Sequence, residues 1–298
     1  MSKGYIRHMF AGGNTSQGFF SYYDYIISQE DATKIFIIKG GPGVGKSTFM
    51  KKIGNYMTDI GYDVEYMHCS SDNNSLDGIV IPSIGVALMD GTAPHIVDPK
   101  NPGAVDEIIH LGDYWNDAEM RKHKEEIMAT NREIGRLFAR AYRYIKAAAC
   151  FYEDTKMINS WAIDNAKVNT EAEYILLDVF GTNKVSVNGG WERKLFASAI
   201  TPNGLKNYLH SLLYTDKIYV LKGQQGTGTE KILEKIKNAA IDRGYDVEAY
   251  YCALIPTKLE HIVIPDLNVS LTTFNEYHNA ELEAYVEIDL DEYLDRNI

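Results

Sequence analysis

Scarcity narrows the class of this chain before any motif does. Only three cysteines occur, Cys69, Cys150 and Cys252, and none forms a CxxC pair. That argues against a disulfide scaffold or a structural zinc site and leaves reduced, mostly buried thiols as the expectation. No apolar run reaches the roughly 18 residues of a membrane span. The N-terminal MSKGYIRHMF also lacks the apolar stretch of a secretion signal, so a cytoplasmic protein is expected. Positive charge is outnumbered, with 30 Lys and Arg against 41 Asp and Glu and a formal net charge of -11. An overall field of that sign repels nucleic acid and anionic membranes. The 298 residues, 45% hydrophobic, suffice for one or two buried cores.

Lys34 to Lys39, KIFIIK, is a short apolar run rich in β-branched and aromatic residues, which predicts a buried strand. It leads directly into Gly40-Gly41-Pro42-Gly43-Val44-Gly45-Lys46-Ser47-Thr48, which fits GxxxxGK[ST] at every fixed position. The next residues, FMKKIGNYMTDIG, predict an amphipathic helix ending near Gly61. Glycines in such a loop let backbone N–H groups turn inward around phosphate oxygens, and the helix N-terminus adds partial positive charge. Lys46 is then expected to reach the β- and γ-phosphates, Ser47 to ligate Mg²⁺, and Thr48 to touch the α-phosphate.

Ile84 to Asp90, IGVALMD, reads as an apolar strand ending in an acid, which makes Asp90 the candidate for orienting Mg²⁺. Between the two motifs lies the polar loop from His68 to Gly78, at the end of a predicted strand YDVEYMH. Loops at the carboxyl ends of strands border ligand crevices, so Asp72 and Asp77 are candidates to position or deprotonate a nucleophile. Turn and capping roles account for the same two residues. His95 and Asp98 stand where a switch segment would follow the Asp90 strand.

The sequence also resembles itself. Residues 34–95 align without a gap to 217–278, an offset of 217 − 34 = 183, with 24 identities. KIFIIKG meets KIYVLKG, GYDVE and IVIP recur, Cys69 faces Cys252, and His95 faces His278. Upstream, RHMFAGGNTSQG resembles RKLFASAITPNG. The pattern implies a tandem duplication. In the second copy Gly223, Gly226 and Gly228 keep the turn, but Thr229 and Glu230 replace Lys46 and Ser47, Thr273 replaces Asp90, and Ile255 and Glu260 replace Asp72 and Asp77. One working site and one pseudo-site follow. The expected units are 1–186, with a helical insertion at 116–180, and a shortened repeat at 187–298.

That insertion is expected to form two long helices breaking near Glu153-Asp154, with Arg132, Arg136, Arg140 and Arg143 on one face. Such a stripe is either solvated or a lid over phosphate. Thr15 and Thr201 read as caps of further helices, and Gly12 and Gly13 as a tight turn or a close backbone approach.

FAGGNTSQGF, KGGPGVGKSTFMKKIG, HCSSDNNSLDG, DGTAPHIVDP and the second HIVIP block together resemble an uncharacterised family of bacterial tandem P-loop ATPases, within the P-loop nucleoside triphosphate hydrolase superfamily. The resemblance implies a P-loop fold that binds ATP and Mg²⁺ through Lys46, Ser47 and Asp90. Members of that family are longer and keep a second P-loop, from which GQQGTGTE departs. The expected fold is thus α/β, with mainly parallel sheets flanked by helices, a helical hairpin in the first unit and an incomplete second unit. The leading expectation is an ATPase coupled to a conformational change or a protein partner. A kinase for a small-molecule acceptor and a nucleotide-sensing module are the alternatives. GTP is less favoured, because Asn183-Lys184 lacks the acid of NKxD.

Overall fold

A computed structural model describes residues 2–94 and 96–296. It is α/β, and its contacts divide it into two compact units, Met1–Lys146 and Ala147–Ile298. Among the described residues no helix is long and apolar enough to cross a membrane.

The first unit runs β1 (Ile6–Met9), β2 (Gly12–Thr15), β3 (Gly18–Ser21), β4 (Lys34–Lys39), α1 (Lys46–Asp59), β5 (Val64–His68), β6 (Leu76–Ile81), β7 (Val86–Asp90), β8 (Asp106–His110) and α2 (Asp117–Lys122), and then enters α3 (Lys124–Ala162). Six strands make one sheet in the order β1-β5-β6-β7-β4-β8. The β1–β5, β4–β7 and β4–β8 pairs are parallel, whereas β6 is antiparallel to both β5 and β7. The sheet is therefore mixed, with one reversed strand inside a set that otherwise runs one way. Helix α1 covers one face. Its Gly54 has no Cβ, and an added one would lie 2.5 Å from the Tyr66 ring, so the missing side chain is what lets helix and sheet approach. Met50 joins Ile38, Val64, Leu76, Ile79, Ile81 and Leu88 in the core between them. Burying side chains of this size stabilises by about 1.5–3 kcal/mol each relative to exposure.

The second unit holds the rest of α3, then α4 (Asn165–Phe180), β9 (Glu192–Leu195), β10 (Ser198–Thr201), β11 (Gly204–Asn207), α5 (Leu209–Leu212), β12 (Lys217–Lys222), α6 (Thr229–Asp242), β13 (Val247–Tyr251), β14 (Leu259–Ile264), β15 (Val269–Phe274) and β16 (Val286–Asp289). Its sheet, β16-β12-β15-β14-β13-β9, repeats the strand order of the first, and β14 is the reversed strand. All six strand positions of the first sheet have counterparts in the second, so the shortening expected there does not fall within the sheet.

Three expectations are corrected. Thr15 and Thr201 do not cap helices: each closes a hairpin, β2–β3 or β10–β11, with its hydroxyl donating to the carbonyl of Gly18 or Gly204. The chemistry that caps a helix also closes a turn. The long helices part at Ile163-Asp164 rather than at Glu153-Asp154, because the Asp164 carboxylate accepts from the backbone N–H of Ala166 and Lys167 and starts α4. The hairpin also does not belong wholly to the first unit. Contacts divide the chain after Lys146, not at 186, and α4 packs on α6 of the second unit.

Candidate functional site

The glycine loop of the first unit lies between β4 and α1, as its sequence predicts. Gly43 and Gly45 have φ of 80° and 91°, a region that disfavours residues with a Cβ, and a Cβ built on either meets nothing within 4 Å. The cradle is open. Gly45 is the residue before the first turn of α1, so the free N–H groups of that turn face the same space. Beyond the loop, a Cβ on Gly41 would approach the Trp115 indole to 2.9 Å, which places an aromatic wall beside it.

Lys46, the first residue of α1, is buried. Its ammonium donates to the carbonyls of Gly40 (2.7 Å) and Gly41 (2.9 Å) and lies 3.5 Å from Asp90 Oδ2. Asp90 ends β7, and its Oδ1 accepts from Thr92 N at 2.8 Å while the Thr92 hydroxyl donates to Gly40 O. The structure thus brings together the lysine expected at the phosphates and the acid expected at Mg²⁺. Ser47 Oγ accepts from Leu76 N at 2.9 Å, tying the start of α1 to β6 and leaving a second lone pair on that oxygen. Thr48 is exposed at the same helix start.

Asp77 arrives by a device that the sequence does not reveal. In the β5–β6 pairing Met67 faces Gly78 and His68 faces Leu76, so Asp77 is the extra residue of a β-bulge. Bulges re-aim a side chain. The carboxyl is buried, and burial pushes its pKa up to about 7; the Cys69 thiol opposes this, the Asp90 charge adds to it, and Tyr23 and Lys46 oppose it. Burial, reinforced by Asp77, also pushes the Cys69 thiol up to about 12, which keeps it protonated. Neighbouring His68 is held neutral, down to about 4, chiefly by burial.

Asp72 is differently placed. It is exposed, its two oxygens accept from the Ser75 hydroxyl and Asn74 N, and its carbonyl accepts from Ser75 N, all within its own turn. Asp98 accepts from Lys39 Nζ, which also holds the carbonyls of Gly91 and Val97. His95 lies outside the described residues. Arg132, Arg136, Arg140 and Arg143 are all exposed, and Arg136 pairs with Glu133. Gly12 is a packing position, since a Cβ there would meet the Phe19 ring at 2.6 Å, and Gly13 faces open space.

The second unit's loop has the same backbone form, with Gly226 and Gly228 at φ of 88° and 102°, but it is filled. A Cβ on Gly226 would lie 2.3 Å from the Lys156 carbonyl oxygen of α3, and one on Gly228 would lie 2.7 Å from Val168 of α4. Lys156 Nζ pairs with Glu230 at 3.1 Å, and the Asn159 side chain donates to Gln225 O at 2.7 Å. Helices α3 and α4 thus pack directly on Gly226 and Gly228, where the matching Gly43 and Gly45 of the first unit meet nothing within 4 Å. No family model, curated protein or solved structure matches the chain.

Proposed function

We propose that the chain is a tandem pair of P-loop units in which the first binds ATP with Mg²⁺ and hydrolyses it, while the second no longer takes a nucleotide. The observation that carries this reading is the contrast between the open cradle at Gly43 and Gly45, with Lys46 and Asp90 at its base, and the filled one at Gly226 and Gly228. The shared strand order of the two sheets and the 183-residue offset support the duplication.

Backbone N–H groups of Gly43 to Lys46 would hold the phosphates, and Lys46 would exchange the Gly40 and Gly41 carbonyls for phosphate oxygens. Ser47 and Asp90 would hold Mg²⁺, whose charge neutralises the phosphate oxygens when bound. Asp77 is the better candidate of the two loop acids for orienting a water and taking its proton. It is buried close to Lys46 and Asp90 electrostatically, and a carboxyl near 7 is matched to proton abstraction at neutral pH.

The test is a titration of ATP and GTP with Mg²⁺ into wild type and Lys46→Ala, with phosphate release followed in the same samples. Wild type should bind ATP and release phosphate, and Lys46→Ala should lose at least about 100-fold in release, since the lysine neutralises transferring phosphate charge. Binding without release would point instead to the kinase or nucleotide-sensing alternative. Undiminished ATP binding by Lys46→Ala would overturn the reading.

A further inference from the structure

The second unit carries a group of side chains that the nucleotide site does not use. Glu260 and His261 are consecutive residues of β14, and neighbours on a strand ordinarily face opposite sides. Here Tyr250 faces His261 and Tyr251 faces Leu259, so Glu260 is the extra residue of a bulge, at the position Asp77 holds in β6. The bulge allows both side chains to serve one cluster, which His278 completes. One ligand-type atom from each of the three lies within 4.8 Å of the others, and all three residues are buried.

Hydrogen bonding bears on what His261 offers. His261 Nδ1 lies 2.7 Å from the Thr272 hydroxyl, which also has Thr273 O at 3.3 Å as an acceptor for its one proton. When that proton goes to Thr273 O, Nδ1 donates and Nε2 presents a lone pair, and the buried Nε2 has no hydrogen-bond partner among the described residues. Glu260 Oε2 and His278 Nε2 lie 2.8 Å apart, yet neither that carboxylate oxygen nor His278 Nδ1 has a hydrogen-bond partner among the described residues, so three buried polar atoms of the group are unsatisfied.

We propose that Glu260, His261 and His278 bind a divalent transition-metal ion of the zinc class. Two imidazoles and a carboxylate suit such an ion and suit Mg²⁺ poorly. A tetrahedral ion with bonds of about 2.0–2.2 Å spaces its ligand atoms roughly 3.3–3.6 Å apart, so Glu260 and His278, now 2.8 Å apart, would part slightly within a group that spans at most 4.8 Å. The outer shell is in place. Thr272 orients His261, and Lys258 Nζ, 3.2 Å from Glu260 Oε1, takes the carboxylate oxygen that the ion leaves. Glu260, His278 and Lys258 line a cavity of about 640 Å³ walled by Phe151, Tyr152 and Tyr277. A fourth coordination position facing it would accept an oxygen-donor group of a small, partly apolar molecule. This reading does not depend on the ATP site.

The full chain, stripped with a chelator, should bind one Co²⁺ with the intense visible bands of a low-coordinate site. Zn²⁺ should displace the Co²⁺ and raise the melting temperature, whereas Mg²⁺ should do neither. His261→Asn and His278→Asn should each weaken Zn²⁺ by at least about 100-fold, the upper range for loss of a mere outer-shell partner. Lys46→Ala should leave Zn²⁺ binding unchanged. If a variant fails to fold, the zinc-edge X-ray absorption of wild type decides, with two imidazoles and no sulfur expected. Absence of stoichiometric binding in wild type, sulfur ligation, or binding that survives both histidine variants would overturn the proposal.

Discussion

Asp77 is where a single residue carries a measurable consequence. Its folded-state pKa, about 7, stands above the ordinary 3.8 because burial penalises the charged form. The native state therefore holds a proton that the unfolded state has released between those two values, and stability falls as pH rises through that window, levelling off above about 7. The full effect is up to about 4 kcal/mol. Asp77→Asn removes it, so urea unfolding should show the variant gaining on wild type from pH 4 to pH 8. A difference that does not change with pH would mean the carboxyl is not perturbed. If Asp77 takes the water's proton, the same variant should lower phosphate release by at least about 100-fold with little change in ATP affinity.

At the scale of elements, the two glycine loops have matching backbones and opposite surroundings, which separates stability from binding. Gly43→Ala meets open space and suffers only the left-handed backbone strain, about 1–2 kcal/mol, yet narrows the cradle, so ATP affinity should fall more than stability. Gly226→Ala adds a Cβ 2.3 Å from a backbone oxygen of α3, so it should cost roughly 3 kcal/mol or more and leave ATP binding alone. Denaturant unfolding beside nucleotide titration of both variants checks this.

What was legible at this scale follows from where the information resides. Strand β4, helix α1 and the loop between them are written locally, in an apolar run, a glycine spacing and an amphipathic period. The reversed β6, the bulges at Asp77 and Glu260 and the break at Asp164 depend on register and capping, which single residues do not announce. The cluster of Glu260, His261 and His278 escaped for the same reason. The scarcity of CxxC speaks only to thiolate sites, and residues 261 and 278 become neighbours through the fold.

At the scale of the molecule, the repeat supplies two loops, and both the substitutions at Thr229 and Glu230 and the packing on the second loop leave one site. ATP should bind with a stoichiometry of one per chain. Restoring the missing chemistry by Thr229→Lys with Glu230→Ser should not raise it to two, because α3 and α4 still lie on Gly226 and Gly228. Equilibrium dialysis of that double variant distinguishes a loop that lost its charges from one that lost its space.

The three tryptophans are unevenly shared. Trp161 and Trp191 belong to the second unit, and only Trp115, 40% exposed, belongs to the first, where its ring lies against Gly41. Any occupant of the first loop must alter the water and the polarity around that one indole. The chain therefore carries its own fluorescent reporter, and a Trp115→Phe variant that binds but no longer changes emission would identify the loop from which the signal comes.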